Sequence, residues 1–336
     1  MSKPRLSICI ATYNRADYIG ETLESIIPQV TEEVEIVIVD GASTDNTGSV
    51  VKDYIKVCPQ IHYIRLPFKG GVDQDYCKAV EFARGEYCWL FPDDDLLNPD
   101  AISTVLDEAK NGYGLIVVNA RVMNSNFSKT ISNKLLEIDT DEIYDESKLE
   151  QLFQRIVPYI SFIGCVVINR DLWLQREKKR YFGTEFIHIG VIFQAPLPTP
   201  ALVIAKPYIT ARMGNAHWTS RAFEIWLCKW PNLLYSFTNI SEPVRQQYQP
   251  ESWRRLKNVV IHRAKGAYSL KKYRLLLELE NPSLWWKMAM LFIAIVPSVI
   301  AELVILVYLK SIKKIASEIA APDMPATGSS KRSKWE

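Results

Sequence analysis

Three consecutive aspartates, Asp93, Asp94 and Asp95, follow an apolar run in the segment WLFPDDDLLNPD. Like charges placed together are costly unless a positive group lies beside them. Carboxylate oxygens are ligands that suit Mg²⁺ and Mn²⁺, which often use one or two carboxylates together with a diphosphate. The segment therefore predicts a divalent cation that carries a phosphorylated ligand. The alternative is a solvated helix cap, in which Asp95 or Asn98 caps a helix that starts near Pro99.

Two other polar turns come directly after apolar runs that are typical of buried strands. Thr12 and Tyr13 follow the run LSICIA, and Asp40 ends the run VEIVIVD. Because ligands bind at the carboxyl ends of the strands in open α/β sheets, we expect these turns at the same rim as the aspartates. Gly41 and Ala42, both small, allow a ligand to approach the backbone beside Asp40. The three turns together favour the cation site over the helix cap.

The elements that must position these residues are short strands that alternate with amphipathic helices. Runs of β-branched and aromatic residues predict buried strands at 6–11, 34–40, 61–66, 86–91 and 114–120. Between the first two runs, one helix face carries Ile19, Leu23, Ile26 and Ile27. This alternation predicts an α/β fold in which a mostly parallel, Rossmann-like sheet carries helices on both faces.

Composition excludes several classes of protein. The chain has 336 residues, 48% of them hydrophobic, which is enough for a substantial core, and its formal net charge of +2 gives no support for nucleic-acid binding. Its six cysteines form no CxxC pair and have no histidine at metal-ligand spacing, so we expect them to be reduced and buried. The N-terminal segment lacks the apolar stretch of a secretory signal, so we expect the soluble part in the cytoplasm.

Three segments, in order, resemble the opening blocks of the inverting family 2 glycosyltransferases with the GT-A fold: SICIATYNRADYIGETLESI, VEIVIVDGASTDNT and GGVDQDYCKAVEFARGEYCWLFPDDDLLNPD. The resemblance covers roughly residues 4–122. It implies a nucleotide-diphosphate sugar as donor and Mn²⁺ or Mg²⁺ as cofactor. Two positions depart from the family pattern, since Gly41 replaces the second of two aspartates and Pro92 replaces the first aspartate of an Asp-x-Asp-Asp motif. The GGVDQD and WLFPDDD variants resemble the abequosyltransferase-like enzymes of bacterial O-antigen assembly.

The resemblance implies roles for the residues of the first and third turns. Asp94 would bind the metal, with Asp95 as a second candidate ligand. Asp93 would contact the ribose or support the metal ligand. Thr12 and Tyr13 would flank the nucleotide base, although a tyrosine here is also compatible with a place in the core.

Three further acids are implied to bind the donor. Asp40 would accept a hydrogen bond from a ring N–H of the base. Asp73 and Asp75, which follow Gly70 and Gly71, would approach the sugar or the diphosphate. Equally, these last two acids would favour the positive N-terminal end of a helix.

An inverting transfer is a single displacement, so it needs a base for the acceptor hydroxyl. The best candidates are Glu185 and His188 in RYFGTEFIHIGVIFQ, which lie three residues apart and are expected to share one helix face. We assign Glu185 as the base. The alternatives are that Glu185 is a helix-start carboxylate behind Thr184 and that His188, with its apolar neighbours, is a buried structural histidine.

The polar loop in ARMGNAHWTSRAFEIW is a candidate to close over the diphosphate. Arg212 would contact the phosphates, and His217 would contact them or complete the set of metal ligands. The alternative is an exposed loop in which Trp218 packs on the helix that follows.

The C-terminal third combines a basic segment at 253–274 with an apolar segment at 288–309. The apolar segment is about long enough to cross a bilayer, which needs roughly 20 residues, but Pro297 and Glu302 argue against a plain span. We therefore predict two interfacial helices joined near Pro297. The residues expected at headgroup level are Trp285, Trp286, Tyr308 and Lys310. The alternative is a core helix hairpin or an oligomer interface.

These features divide the chain into four regions. They are a nucleotide-sugar-binding half of the GT-A domain at 1–122, an acceptor-binding half at 123–240, a helical membrane-associating region at 241–320 and a disordered tail at 321–336. A transferase held at the cytoplasmic face of the inner membrane, as a peripheral or monotopic protein, would act on a lipid-linked acceptor. A polyprenyl-diphosphate oligosaccharide is such an acceptor.

Three other functions fit part of the pattern. A polyprenyl-phosphate glycosyltransferase differs only in accepting a lipid phosphate, so it needs no strong base. A nucleotidyltransferase would be expected to have a glycine-rich loop after the first strand, but no glycine occurs before Gly20. A non-enzymatic membrane scaffold has no use for three acidic strand ends.

Overall fold

The computed structural model describes residues 3–215, 221–248, 256–279 and 282–307. The chain divides into two compact units, Met1–Thr219 with Glu224–Pro250 and Ser220–Phe223 with Glu251–Glu336. The first, which contains the strands, is called the sheet unit below. The second, which contains the last four helices, is called the helical unit.

Four parallel strands form one side of the sheet. They are β1 Leu6–Thr12, β2 Val34–Asp40, β3 Ile61–Arg65 and β4 Tyr87–Phe91, and they lie in the order β3-β2-β1-β4. Every residue of β2 and β4 is buried, as expected for strands that are covered on both faces. Each of the four lies within one residue of its predicted bounds, so the apolar runs identified them correctly.

The remaining strands make the sheet mixed. They are β5 Leu96–Leu97, β6 Leu115–Asn124, β7 Thr130–Ser132, β8 Glu142–Tyr144, β9 Val166–Asn169 and β10 Ala201–Met213. β9 lies between β4 and β6 and is antiparallel to both, whereas β10 is parallel to β6. The predicted parallel arrangement therefore holds for β1 to β4 and not for the whole sheet.

The helices that accompany the sheet are short. α1, Ile19–Ile26, buries Ile19, Leu23 and Ile26, three of the four residues predicted to share one face, whereas Ile27 follows the helix in a 3₁₀ turn. The others up to residue 248 are α2 Thr47–Ile55, α3 Val72–Phe82, α4 Ala101–Ala109, α5 Leu149–Ile160, α6 Arg170–Gln175, α7 Ile187–Phe193, α9 Trp230–Tyr235, α10 Glu242–Gln247 and the short α8 Ala222–Glu224, whose first two residues belong to the helical unit. Between α8 and α9 the turn Ile225–Lys229 is π-helical. All six cysteines are buried and free, as predicted.

The division into units differs from the predicted division into regions. β6 runs through the predicted boundary at residue 122, so both predicted halves of the GT-A domain share one sheet. α10 belongs to the sheet unit, although the membrane-associating region was expected to start at residue 241. The predicted tail at 321–336 lies outside the described residues.

The helix after the three aspartates is not capped by them. α4 begins at Ala101, and the side chain of its N-cap residue, Asp100, makes no capping hydrogen bond. Asn98 instead donates its side-chain amide to the Pro207 carbonyl at 3.0 Å. The alternative in which Asp95 or Asn98 is a simple helix cap is therefore wrong.

The helical unit ends in two helices with exposed apolar side chains. It contains α11 Leu256–Ala264, α12 Leu270–Leu279, α13 Leu284–Ile295 and α14 Ser298–Val307. α13 and α14 meet at an angle of 105°, at the break near Pro297 that the sequence predicted. The Tyr268 hydroxyl donates to the Met290 carbonyl at 3.2 Å, and Arg263 Nε donates to the Val296 carbonyl at 2.8 Å.

The outer side of α13 and α14 is called the exposed apolar face below. It includes Trp285, Met288, Phe292 and Ile295 of α13 and Val299, Leu303 and Val307 of α14, each more than half exposed. Within the described ranges, no single helix has the length and hydropathy to cross a membrane, and only α13 and α14 taken together pass that test. Tyr308 and Lys310, expected at headgroup level, lie outside the described residues.

Candidate active site

The carboxyl ends of β1, β2 and β4 bring the three predicted turns together. Thr12 pairs with Asp40 in the parallel register of β1 and β2, and β4 lies parallel on the other side of β1. The Gly41 N–H donates to the Thr12 carbonyl at 2.9 Å, which joins the turn after β2 to the end of β1. Asp93 follows β4 at the same rim. The parallel register therefore explains why residues far apart in sequence become neighbours.

A positive side chain from the first turn lies against the aspartates. Arg15 Nε is 3.3 Å from Asp93 Oδ1, and an Arg15 Nη is 3.2 Å from Asp94 Oδ2. Asn215 donates its side-chain amide to Asp94 Oδ2 at 2.7 Å and accepts a hydrogen bond from Arg15 at its carbonyl. We call Arg15 and the three aspartates the acid rim. Sequence analysis missed Arg15, although it directly follows the ATYN turn, whereas Asn215 belongs to the polar loop that was expected to close over the diphosphate.

Burial makes the acid rim electrostatically costly. It raises the pKa of Asp93 to about 7, an effect that Asp94 increases and that Arg15 opposes. It also raises the pKa of Asp95 well above the usual range, again with Asp94 adding to the effect. Asp95 Oδ1 accepts the backbone N–H of Arg212 at 2.6 Å, so this carboxyl also joins the rim to β10. The rim therefore favours a bound cation, which would offset the repulsion among these carboxyl groups.

The Asp40 carboxyl is fully buried at the end of β2. Its Oδ1 accepts the Ser43 N–H at 2.7 Å, and its Oδ2 accepts the Tyr63 hydroxyl. These two bonds fix the orientation of the carboxyl. The predicted hydrogen bond with a nucleotide base would have to use a lone pair that these donors leave.

Asp75 supplies a second carboxyl at the end of β2. A Cβ added at Gly41 would lie 2.7 Å from Asp75 Oδ2, so the glycine makes room for this side chain. Asp75 Oδ1 is buried and has no hydrogen-bond partner within the described part of the chain. Burial raises the Asp75 pKa to about 6, an effect that Lys69 opposes. The Lys69 ammonium also lies 3.6 Å from the centroid of the Tyr13 ring.

Asp73 lies on the same helix as Asp75 but contacts a different part of the molecule. Its Oδ2 accepts the Glu185 N–H at 3.0 Å, and its Oδ1 accepts the Ile187 N–H at 3.1 Å. Burial raises the pKa of Asp73 to about 6, and these backbone hydrogen bonds oppose the rise. Both carboxyl oxygens thus hold the backbone of the segment that precedes α7.

Glu185 does not share a helix face with His188, so that prediction is wrong. α7 begins at Ile187, and Glu185 precedes it with φ +72°, a left-handed conformation that is rare for a residue with a side chain. Such a conformation costs on the order of 1–3 kcal/mol and tends to occur at functional sites. Glu185 Oε1 accepts a hydrogen bond from Lys229 Nζ at 3.2 Å, and the same ammonium is 3.1 Å from Glu224 Oε1. Lys229 was not identified from the sequence.

His188 lies in the core of the sheet unit. It is 1% exposed, and its Nε2 is 2.7 Å from the Ile160 carbonyl. Burial lowers the pKa of His188 to about 4. This placement favours the alternative interpretation, that of a buried structural histidine, over a catalytic role.

Arg212 is engaged by the protein on every side of its guanidinium. Its Nε donates to the Asp94 carbonyl at 2.9 Å, and its Nη atoms donate to the Ser125 carbonyl and to Glu21. Its guanidinium carbon also lies 4.1 Å from the centroid of the Phe127 ring. Arg212 therefore holds the rim backbone in this structure. His217, the other residue expected at the phosphates, lies outside the described residues.

A divalent cation fits the donor chemistry of the acid rim. Among the residues that the structure describes, no cluster of three His, Cys, Asp or Glu side chains could bind a metal by itself. Mg²⁺ in phosphate sites usually needs only one or two carboxylates, because phosphate oxygens and waters complete its ligands. Asp94, with Asp93 and Asp95 beside it, satisfies that smaller requirement.

Comparisons with known proteins identify a family and several relatives. Residues 7–173 match the family model described as glycosyl transferase family 2. The chain is 28% identical over 227 residues to abequosyltransferase RfbV of Salmonella typhimurium, which covers 62% of this chain and 67% of that protein. It is 32% identical over 140 residues to the GalNAc(5)-diNAcBac-PP-undecaprenol beta-1,3-glucosyltransferase of Campylobacter jejuni, which covers 41% of this chain and 45% of that protein.

A solved structure shares the fold. The crystal structure of S. aureus TarS 1-349 in complex with UDP matches with a TM-score of 0.58 and 16% sequence identity, over 81% of this chain and 78% of that chain. This likeness shows a mixed α/β, GT-A-like fold. The predicted fold class is confirmed.

Proposed function

Because this chain is a glycosyltransferase with a family 2 domain at residues 7–173, we propose that it transfers a sugar from a nucleotide-diphosphate sugar to a lipid-linked oligosaccharide. The transfer is a step in the synthesis of a cell-surface polysaccharide such as O-antigen. The transfer inverts the configuration of the sugar and depends on Mn²⁺ or Mg²⁺. The acid rim is the observation that carries the proposal.

The acid rim would hold the diphosphate of the donor. Asp94 would bind the cation, with Asp93 and Asp95 as its neighbours, and the cation would supply charge neutralisation for the leaving diphosphate. Arg15 already lies against Asp93 and Asp94. Its guanidinium is therefore within reach of phosphate oxygens that approach the same carboxylates.

The nucleoside would lie between the ends of β1 and β2. Thr12 ends β1 and Tyr13 follows it, and Asp40 and Asp75 present two buried carboxyl groups beside Gly41. The buried Asp75 Oδ1 lacks a partner in the described part of the chain, so a ligand N–H or hydroxyl would remove the cost of that unpaired atom. This observation supports Asp75 as a donor-binding residue.

Glu185 is the proposed base. The acceptor hydroxyl gives its proton to the Glu185 carboxylate while its oxygen forms a bond to the anomeric carbon. The bond from that carbon to the diphosphate oxygen breaks, and its electron pair leaves with the nucleoside diphosphate. His188 is too deeply buried for this role, whereas Glu185 is partly exposed.

A lipid-linked acceptor is supported by the helical unit. The exposed apolar face is of the kind that lies in a membrane interface, and α11 and α12 carry several lysines and arginines that anionic lipids would attract. We place the protein at the cytoplasmic face of the inner membrane, as a peripheral or monotopic protein. A transferase of soluble sugars would need no such face.

A polyprenyl-phosphate acceptor is the main alternative. A phosphate oxygen is already ionised, so such an enzyme needs no base. The strained backbone of Glu185 and its ion pair with Lys229 hold a carboxylate in one place, as the base for a hydroxyl acceptor requires.

The proposal is tested by a thermal-shift panel of UDP-, GDP-, CDP- and dTDP-sugars, each with and without Mn²⁺. A ligand that binds the native state raises its stability by RT ln(1 + [L]/Kd), which is about 2.7 kcal/mol at 100 times Kd. We expect one nucleotide to raise the Tm, and to do so mainly with Mn²⁺ present. A panel in which no nucleotide sugar changes the Tm under either condition would contradict the proposal.

A further inference from the structure

We propose that Asp73 and Lys229 are positioning residues for Glu185, with Asp73 fixing its backbone and Lys229 fixing its carboxylate. This inference rests on the proposed function, in which Glu185 is the base. It also reassigns Asp73, which the sequence pattern had placed at the donor. The two acids of the GGVDQD segment then serve different reactants.

The backbone of Glu185 is held from outside its own segment. Gly183, at φ +83°, makes a left-handed turn without cost, but Glu185 at φ +72° has a side chain that disfavours this conformation. Asp73 accepts the N–H of Glu185 itself and the N–H of Ile187, two residues further along the chain. Bonds from N–H groups to a carboxylate are among the strong hydrogen bonds, so they can keep the segment in an otherwise unfavourable shape.

The geometry of α3 separates Asp73 from the donor. Residues two apart on a helix point to different sides, because successive side chains are rotated by about 100°. Asp75 accordingly lies beside Gly41 at the end of β2, while Asp73 contacts the segment before α7. Asp73 is also 4% exposed, and both of its oxygens already accept backbone hydrogen bonds. It therefore acts on Glu185 and not on the nucleotide.

The carboxylate of Glu185 is held by a residue from a second unusual element. Lys229 ends the π-helical turn Ile225–Lys229, and such turns are rare and often occur at functional sites. Its ammonium is shared between Glu185 and Glu224, at 3.2 and 3.1 Å. The Glu185 carboxylate is thus positioned both by a strained backbone and by a lysine from a π-helical turn. An ion pair that only stabilises the fold would need neither of these unusual features.

The test is a double-mutant cycle in the full-length protein. Asp73→Asn keeps the size of the side chain but replaces one of its two acceptor oxygens by a donor. We expect kcat to fall by about 10²-fold, the usual cost of misplacing a reacting group by about 1 Å. Donor affinity, measured by thermal shift with the nucleotide sugar found in the panel, should change less than about twofold. In a Glu185→Gln background, Asp73→Asn should cost no further kcat, because its effect requires the base.

Controls and outcomes separate the possible explanations. Asp53→Asn, at an exposed acid paired with Lys56, should leave kcat unchanged. An equal kcat loss from Asp73→Asn in both backgrounds, or weaker donor binding, would overturn the positioning role while leaving the proposed function intact. A Glu185→Gln protein with wild-type kcat would instead overturn the assignment of the base.

A second arm uses Lys229 and decides the question even where Asp73→Asn fails to fold. Lys229→Met should lower kcat by about 10-fold to 10²-fold, the equivalent of a lost hydrogen bond to a charged group, with KM for the donor unchanged. Lys229→Arg should restore most of that loss, and Lys78→Met, at an exposed lysine paired with Glu81, should have no effect. The inference fails if Lys229→Met lowers kcat as much without Glu185 as with it, or leaves kcat at the wild-type value.

Discussion

The acid rim buries carboxyl groups, which proteins normally expose, whereas the exposed apolar face leaves to solvent the side chains that proteins normally bury. In the rim, Asp93 and Asp95 are almost fully buried beside Asp94, and burial raises the pKa of both. On α13 and α14, large apolar side chains are more than half exposed among the residues that the structure describes. Each region is unfavourable alone, and the proposed function supplies a partner for each, a cation with a phosphate for the rim and a lipid surface for the apolar face.

The difference also lies in what each partner must provide. The rim has fixed geometry, because Arg15, Asn215 and the Arg212 backbone hold its carboxylates at hydrogen-bond distance. The apolar face offers area without directional contacts, which suits a fluid surface better than a small ligand. The sheet unit is therefore expected to determine which donor binds, and the helical unit to determine where the reaction occurs.

The largest expected effect is on membrane binding. Serine at four exposed positions of α13 would remove apolar area worth several kcal/mol in an interface, so vesicle partitioning should fall by more than about 10³-fold. The four positions are Trp285, Met288, Phe292 and Ile295. Co-sedimentation with anionic vesicles at low and high salt measures the change, and any binding that remains should be salt-sensitive.

Phe82→Ser is the control for this comparison, because Phe82 is an exposed aromatic residue of the sheet unit. It should leave vesicle binding unchanged. If the wild-type chain does not sediment with vesicles at any salt concentration, the membrane role of the exposed apolar face is wrong.

The two regions were not equally predictable from sequence. The rim was found because β1, β2 and β4 are marked by continuous apolar runs and parallel strands bring their carboxyl ends together. The break near Pro297 was found because proline cannot continue a helix. Both features depend on local sequence.

What was missed depends on contacts between distant residues. Arg15 contacts Asp93 and Asp94 only after the sheet has formed, and nothing in the sequence around Arg15 identifies those partners. Thr184 before Glu185 suggested a helix start, but the Asp73 carboxylate takes the backbone N–H groups and changes the conformation of Glu185. The antiparallel strand β9 was likewise missed, since local periodicity does not determine which strands become neighbours.

The second prediction concerns the charge that now compensates the rim. Arg15→Met removes the guanidinium that lies against the Asp93 and Asp94 carboxylates. Without a cation, the free energy of unfolding should therefore fall by about 3 kcal/mol, which corresponds to about 6–12 °C in Tm. Mn²⁺ should restore more Tm in the variant than in the wild type, because a cation replaces the lost charge. Scanning calorimetry in EDTA and in Mn²⁺ measures both values.

Lys56→Met, which removes an exposed ion pair with Asp53, should shift the Tm by no more than about 1 °C. An Arg15→Met protein as stable as the wild type in EDTA would mean that the rim is not under electrostatic stress.

The third and smallest effect is the pH dependence of that stress. The folded-state pKa of Asp93 is about 7, above the value of about 3.9 for an unfolded chain. Between these two pH values the folded state holds a proton that the unfolded state has lost. The free energy of unfolding therefore falls as the pH rises from about 4 to about 7. The side chain in the Asp93→Asn variant cannot ionise, so the variant should not lose stability in this way. In EDTA, the variant should match the wild type near pH 4 and exceed its Tm above pH 7, by about 2–4 °C for each kcal/mol recovered.

Thermal melts of both proteins from pH 4 to pH 8 give this difference directly. A Tm difference that does not change across the range, or a variant less stable than the wild type at pH 8, would show that ionised Asp93 does not destabilise the folded protein.

The central claim is that the acid rim binds cation and donor together. The most direct test measures, by calorimetry, the affinity of the wild-type and Asp94→Asn proteins for the nucleotide sugar. Each protein is measured once with Mn²⁺ and once with EDTA. Because Asp94 would hold the cation, and the cation would neutralise the charge of the diphosphate, EDTA should weaken wild-type binding by about tenfold or more. Asp94→Asn should bind as weakly in Mn²⁺ as the wild type does in EDTA. Equal wild-type affinity in Mn²⁺ and EDTA, or an Asp94→Asn protein that keeps the full Mn²⁺ effect, would contradict the account.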